Sequence, residues 1–342
     1  MAGNDDAAED GDQTVDSFIR RVARVETSSA AFERTIFIGS KIDRYEIVKR
    51  LGAGGMGIVY EARDTELERN VALKLVKPRG ISIEDAQRRM RREAQAMAKL
   101  SSAYTVGIHD IGTHGDKVFI AMELLRGGTL RDWMREPHDW REVTELFLKL
   151  ARGLSDAHSA GIVHRDFKPE NVLLGGNGEV RIADFGLARS CGSIESVDGT
   201  PAKPVVPMQT ASELAGTPAY MSPEQLQEAP TDVRTDQFSF AVAFYEALEG
   251  TRPFAAAGSD FTAIAAAVLE AQPRAWQKSV PRWLRETIAK GFARDPEQRW
   301  PSMDLMQREL ELGLRRRSPW PLIVAGVLVV LAALAVLLAL RV

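Results

Sequence analysis

One cysteine, Cys191, stands in 342 residues, which excludes an internal disulfide and any thiolate-rich metal site. The five histidines are scattered and form no cluster with it, so zinc has no evident ligand set. A basic excess is also missing: 44 Lys and Arg face 47 Asp and Glu, for a net charge of −3, which is no nucleic-acid footprint. Six of those acids and no base fall within residues 1–16, leaving +3 for the rest. The start of the chain has neither the basic residues nor the apolar run of a secretory leader, and no internal repeat is present. What remains is ordinary for a folded protein of a reducing, cytoplasmic setting, with 45% hydrophobic and 27% charged residues.

Residues 1–40 read as an acidic, disordered extension, since the first sixteen have almost no large apolar group to bury. Phe18, Ile19, Val22 and Val25 interleave with Arg20, Arg21 and Arg24. Short basic amphipathic helices share that pattern with plain linker, and linker is the reading taken. From Tyr45 the texture changes: Tyr45–Leu51, Ile58–Arg63, Val71–Val76 and Val118–Glu123 are predicted strands. Between the third and fourth, Met90, Ala94, Met97 and Leu100 recur at helical spacing over Ile83–Leu100, and Ser82 with Asp85 has capping-box spacing. After residue 128 helices dominate: Val143–Ala160, Phe238–Glu249, Ala263–Ala271, Trp283–Ala293 and Met303–Leu314. The expectation is an α+β chain of two lobes, a small β-rich one with one helix at 45–125 and a larger helical one at 126–314.

Long hydrophobic runs are absent until the end. Trp320 to Leu340 is 21 residues without a charge, long enough as a helix to cross a hydrocarbon core of about 30 Å; a buried helix of that length would keep a polar face. Arg315, Arg316 and Arg317 precede it in a basic juxtamembrane segment, 315–319, and only Arg341 and Val342 follow. The arginine bias predicts a single-pass tail anchor in the cell membrane, a transmembrane helix at 320–340. The rest of the chain would be cytoplasmic and the C-terminus on the far side.

His164-Arg165-Asp166-Phe167-Lys168-Pro169-Glu170-Asn171 is the most informative run. It places a carboxylate, Asp166, a cation, Lys168, and a metal-binding amide, Asn171, on one short loop. Asp184-Phe185-Gly186 follows, with Asp184 thirteen residues after Asn171. Phosphoryl transfer needs that inventory: a group to orient the attacking hydroxyl, a charge for the γ-phosphate, and oxygens for Mg²⁺. Upstream, Gly52-Ala53-Gly54-Gly55-Met56-Gly57-Ile58-Val59 has G-x-G-x-x-G spacing, which dinucleotide sites share. Here a strand-like segment follows it rather than a helix, giving a flap whose backbone N–H groups approach phosphates. Lys74 lies on the third strand, and Glu93 in the next helix is expected to pair with it and aim its ammonium at the α- and β-phosphates.

On these motifs residues 45–314 resemble a protein kinase, and specifically the bacterial eukaryotic-like serine/threonine protein kinases. The resemblance implies the two-lobed protein-kinase fold, with ATP and Mg²⁺ as cofactors. Gly52, Gly54 and Gly57 would form the flap with Ala53, Gly55, Met56 and Val59. Lys74 and Glu93 would pair, Asp166 would be the catalytic base with Lys168 beside it, and Asn171 and Asp184 would hold the metal. Met122 would guard the back of the adenine pocket, with backbone groups of Glu123 and Leu125 on the base. Gly216–Glu224 is similar to the substrate-docking segment, with Ser222 where many members have alanine. Asp236 and Arg299 resemble buried anchors, and Glu224 would pair with Arg299. The family reading makes His164 a packing and hydrogen-bonding residue. His109, His114, His138 and His158 receive no role. Ser101–Tyr104 departs from the His-Pro turn of many members, leaving that turn open.

Residues 187–215 form a long Ser/Thr- and Pro-containing stretch, which marks a functional loop. A phosphate there would carry roughly −2 charge, enough to order such a segment against Arg165. Thr210 and Ser212 are the preferred sites, ahead of Ser190, Ser193, Ser196 and Thr200. The expected partners are Ser/Thr-containing protein substrates and the lipid bilayer, with a homodimer left open and no nucleic acid. The rival is a pseudokinase scaffold with the same fold that signals by binding alone.

Overall fold

The computed structural model describes residues 37–54, 57–76, 82–100, 102–176, 178–185, 218–254, 261–270 and 272–315. The expectations for residues 1–36, Gly55, Met56, the 187–215 loop with Thr210 and Ser212, Gly216 and Thr217, and the 320–340 segment lie outside them. Among the described residues no helix is long and apolar enough to cross a membrane.

Six strands, β1 (Lys41–Ile42), β2 (Tyr45–Gly54), β3 (Gly57–Asp64), β4 (Arg69–Val76), β5 (Ile108–His114) and β6 (Lys117–Met122), make one antiparallel sheet in the order β1-β2-β3-β4-β6-β5. The period of two along a strand decides which side chain meets which core. On β4, Val71, Leu73 and Leu75 join Tyr45, Ile47 and Phe119 in one buried layer. Val76, on the other face, packs with Met90 and Ala94 of helix α1 (Ile83–Lys99). Lys74 belongs to that second face and is 5% exposed. The α1 start is capped as its spacing predicts, the Asp85 N–H donating to Ser82 Oγ at 3.1 Å.

The larger lobe holds α2 (Leu130–Trp133), α3 (Trp140–Ser159), the hairpin β7 (Val172–Leu174) and β8 (Val180–Ile182), α4 (Pro223–Leu226), α5 (Arg234–Glu249), α6 (Phe261–Glu270), α7 (Arg282–Gly291) and α8 (Met303–Arg315). Helix α3 is capped by Asp139, whose Oδ1 accepts from the Arg141 and Glu142 N–H groups at 2.6 and 3.2 Å. It buries Val143, Phe147, Leu150 and Leu154 at helical spacing. Helix α5 is buried nearly all round and forms the lobe's axis; Phe147 stacks on its Phe244 with ring centroids 4.3 Å apart.

Several expectations need correction. Residues 37–40, read as part of the disordered extension, form a turn held on β2: Gly39 N–H donates to Ile47 O at 2.8 Å and Ile47 N–H to Ser40 O at 2.9 Å. Strand β5 went unpredicted because Ile108 and Ile111 are its only large apolar residues and it is an edge strand. Helix α5 begins four residues before Phe238 because Asp236 and Gln237 are buried for their polar contacts, which hides them from an apolar pattern. The turn after α1 is a parallel bridge to β8, with Ile182 N–H donating to Tyr104 O at 2.8 Å and Val106 N–H to Ile182 O at 3.0 Å.

Candidate active site

The loop 164–171 follows α3 and ends in a 3₁₀ turn, Pro169–Asn171, that leads into β7. Its backbone is held at an unusual place: Arg165 has φ +65°, as does Asp184. For residues other than glycine such a conformation costs on the order of 1–3 kcal/mol and survives only where the surroundings enforce it. Asp236, fully buried on α5, enforces it at Arg165. Its Oδ1 accepts the Arg165 N–H at 2.7 Å, and its Oδ2 lies 2.8 Å from both the His164 N–H and His158 Nε2. Burial alone would push the Asp236 carboxyl up. The His158 contact and the backbone donors outweigh burial and hold it below the usual carboxylate range.

Asp166 is the centre of a compact cluster. Lys168 Nζ lies 2.9 and 3.2 Å from its two oxygens. The Asn171 amide donates to the Asp166 carbonyl at 2.8 Å and to Oδ2 at 3.1 Å. Because Nδ2 makes both bonds, Oδ1 is the Asn171 atom that could be offered to a metal. His164, 1% exposed, spends both ring nitrogens: Nδ1 accepts the Asp166 N–H at 3.2 Å, so Nε2 donates to Ala183 O at 2.9 Å. That makes it a hydrogen-bonding brace between the two acidic loops, as expected. Ala183 N–H in turn donates to Asn171 O at 2.8 Å.

Asp184 follows directly and lies 2.7 Å from Lys74 Nζ. Burial would raise its carboxyl, but the Lys74 charge and hydrogen bond, with Lys168 behind them, hold it low. The partner foreseen for Lys74 was Glu93; its backbone lies on α1, and its side chain lies outside the described residues. Glycine is needed at Gly57 for packing as well as for phosphate approach. With φ +137°, a Cβ there would sit 1.9 Å from Leu75 O. Gly52 and Ala53 pair with Val59 and Ile58, and Gly54 with Gly57, so the flap is a true hairpin. A Cβ at Gly52 would enter open space.

Between the lobes, Ala72, Val106, Met122 and Ala183 form a small apolar cluster with Val59, Leu124, Leu125 and Leu173 against it. It draws on both lobes beside Lys74 and Asp184, which suits a flat heterocycle. Ala72, Val106, Leu173 and Ala183 were missed from sequence, because single apolar residues carry no individual signal. The Glu123 N–H is spent on Gly107 O at 2.8 Å, and its side chain pairs with Arg181 Nε at 3.3 Å. Its carbonyl is therefore the group that can face a base.

The expected Glu224–Arg299 pair is present and bidentate, at 2.7 and 2.9 Å, with Thr235 Oγ1 donating to the same carboxylate at 2.8 Å. Burial would raise Glu224, and Arg299 outweighs it to keep it low. Ser222 is explained as the N-cap of α4, in a capping box with Gln225. The same Gln225 donates from Nε2 to Arg165 O at 2.8 Å, a tie between this segment and the 164–171 loop that the sequence did not disclose.

Among the described residues no group of three or more His, Cys, Asp or Glu converges as a metal cage. Mg²⁺ is ordinarily held by one or two carboxylates, phosphate oxygens and water. The hard oxygens of Asp184 and Asn171 fit that role.

Comparison with known proteins agrees with this geometry. Residues 45–310 match the protein kinase domain family. The chain is 36% identical over 273 residues to the serine/threonine-protein kinase PknL of Mycobacterium tuberculosis, covering 78% of this chain and 65% of that protein. It is 30% identical over 282 residues to the serine/threonine-protein kinase PrkC of Bacillus subtilis, covering 81% and 41%. To the probable serine/threonine-protein kinase PknB of Lactococcus lactis it is 31% identical over 277 residues, covering 78% and 42%. The chain thus spans less than two thirds of the length of these relatives.

Proposed function

The chain belongs to the protein kinase domain family, and on that premise we propose that it transfers the ATP γ-phosphate to Ser and Thr hydroxyls of proteins. The observation that carries this is the convergence of two side-chain groups on one interlobe site. Lys74 meets Asp184, Asp166 meets Lys168 and Asn171, and His164 and Ala183 tie the two groups together.

In this reading Asp166 accepts a hydrogen bond from the acceptor hydroxyl and takes its proton late in transfer. Lys168, already on both Asp166 oxygens, offsets charge on the moving phosphoryl. Lys74 steadies the α- and β-phosphates under the Gly52–Gly57 flap, and the cluster around Met122 takes the adenine. Asn171 and Asp184 would hold Mg²⁺, which when bound neutralises phosphate charge. The pseudokinase scaffold is the second reading; the complete set Lys74, Asp166, Asn171 and Asp184 weighs against it.

The test is transfer from labelled ATP with Mg²⁺ to a generic protein acceptor, followed by identification of the modified amino acid. Asp166→Asn should lower transfer by about 10²–10⁴ with an unchanged melting temperature. Wild-type turnover in that variant would sink the assignment. Two finer parts of the proposal lie outside the described residues. Self-phosphorylation at Thr210 or Ser212 would dock that loop on Arg165, and peptide mapping after incubation with ATP reads it. Anchoring by 320–340 would leave the kinase domain cytoplasmic, and loss of membrane fractionation on deleting that segment reads it.

A further inference from the structure

Beside the catalytic loop lies a charged cluster that phosphate transfer does not itself use. Arg131, on α2, donates from Nε to Glu170 Oε1 at 2.8 Å and from Nη1 to Glu246 Oε1 at 3.0 Å. Its Nη2 donates to the Tyr220 hydroxyl, which donates onward to Glu246. Burial and the Glu246 charge push the Tyr220 phenol up, so it stays a neutral donor. Each member comes from a different element: Glu170 from the 3₁₀ turn of the catalytic loop, Tyr220 from the 3₁₀ turn before α4, and Glu246 from α5.

The placement bears on the acceptor. Glu170 immediately precedes Asn171, whose amide holds Asp166, and five residues after Tyr220 comes Gln225, which holds the Arg165 carbonyl. Cluster and catalytic aspartate therefore share both supporting segments, which makes the cluster a candidate contact for a polypeptide that presents its hydroxyl to Asp166. The side chains of Glu246, Arg131 and Glu170 are 10%, 30% and 46% exposed, so the cluster opens to solvent at the Glu170 end. Two carboxylates converging at such a rim would make a receptor for an incoming cation, because a carboxylate stripped of water demands a charged partner. Here the chain supplies the cation itself.

We propose that Arg131 is a specificity-determining residue: an internal guanidinium that fills the place where a basic substrate side chain would otherwise be held, so that the protein does not select Arg or Lys there. The proposal rests on the reading that proteins are the acceptors. It goes beyond that reading by naming which substrates are disfavoured and by which residue.

The test uses pairs of serine peptides differing by Arg or Gln at successive positions. Binding is read by fluorescence anisotropy, and phosphate transfer is read in the same samples. In the wild type each pair should bind alike, and Glu170→Gln should leave that pattern unchanged, since Glu170 is already neutralised. In Arg131→Gln the Arg peptide at one position should bind about tenfold or more tightly than its Gln twin. Adding Glu170→Gln to that variant should erase the gain. A wild-type preference for Arg that Glu170→Gln removes would overturn the proposal, and this arm stands even if Arg131→Gln fails to fold. So would a folded Arg131→Gln with a flat binding profile and reduced transfer, the signature of a mere brace. Because binding is read without turnover, a wild type that binds peptides but transfers nothing refutes the kinase reading and not this one.

Discussion

On the large-lobe side of the cleft, the loop carrying Asp166 is tied down by buried groups. Asp236 holds the His164 and Arg165 amides, Gln225 holds the Arg165 carbonyl, and the Glu224–Arg299 pair seats the segment to which Gln225 belongs. On the small-lobe side, Lys74 reaches across to Asp184 through an ion pair, and the glycine flap is a two-stranded hairpin fixed by the fit of Gly57 under Leu75. Among the described residues the floor is thus tied by more buried polar contacts than the roof. Stability and catalysis should accordingly separate: changes to the floor's anchors unfold it, while changes to the roof spare the fold and cost rate.

The largest effect that tests this contrast is expected at Arg299. Removing one member of a buried ion pair typically costs about 3–5 kcal/mol, because the other charge is left without a partner. Arg299→Met strands the Glu224 carboxylate, so the melting temperature should fall steeply and transfer should go with it. Lys74→Met should shift the balance the other way: a smaller fall in melting temperature, since the stranded Asp184 side chain keeps 22% exposure against 9% for Glu224, with transfer lowered on the order of 10²–10³ by loss of one charge-stabilising donor. Thermal denaturation and steady-state transfer on both variants decide the matter. If Lys74→Met melts as early as Arg299→Met, floor and roof are one cooperative unit and the contrast fails.

How much of this was legible beforehand depended on whether chemistry dictates a residue at a spacing. The run from His164 to Asn171 and the later Asp184 were readable because transfer demands a carboxylate, a cation and an amide together, and the fold places them together. Lys74 was readable as to its face, since the strand period puts it opposite Leu73 and Leu75. Its observed partner was not: Asp184 comes from the other lobe, and no local pattern reports that distance. The Glu224–Arg299 pair was foreseen through resemblance alone. Gln225 and Arg131 escaped notice because a lone polar residue carries no periodicity, and β7 and β8 because three residues are too few to show one. Phe18–Val25, the 187–215 loop and 320–340 lie outside the described residues.

The mildest perturbation is acid, and its sign follows from the carboxylates. Asp236, Asp184 and Glu224 all have folded values below their ordinary ones. A group depressed in this way contributes stability that is fully present above its unfolded value, about 3.9 for Asp and 4.3 for Glu. That contribution is lost as pH falls through the lower folded value, since the unfolded chain then binds protons more readily. The melting temperature should therefore change little between about pH 7 and 5 on account of these groups, and fall below about pH 4. Two of the three, Asp236 and Glu224, belong to the floor, and only Asp184 faces the roof. Lys74→Met removes the charge that holds Asp184 low, so it should remove that residue's share and leave most of the acid limb standing. A limb that vanishes in Lys74→Met would place the acid-sensitive linkage in the roof, and the floor would lose its claim to be the firmer half.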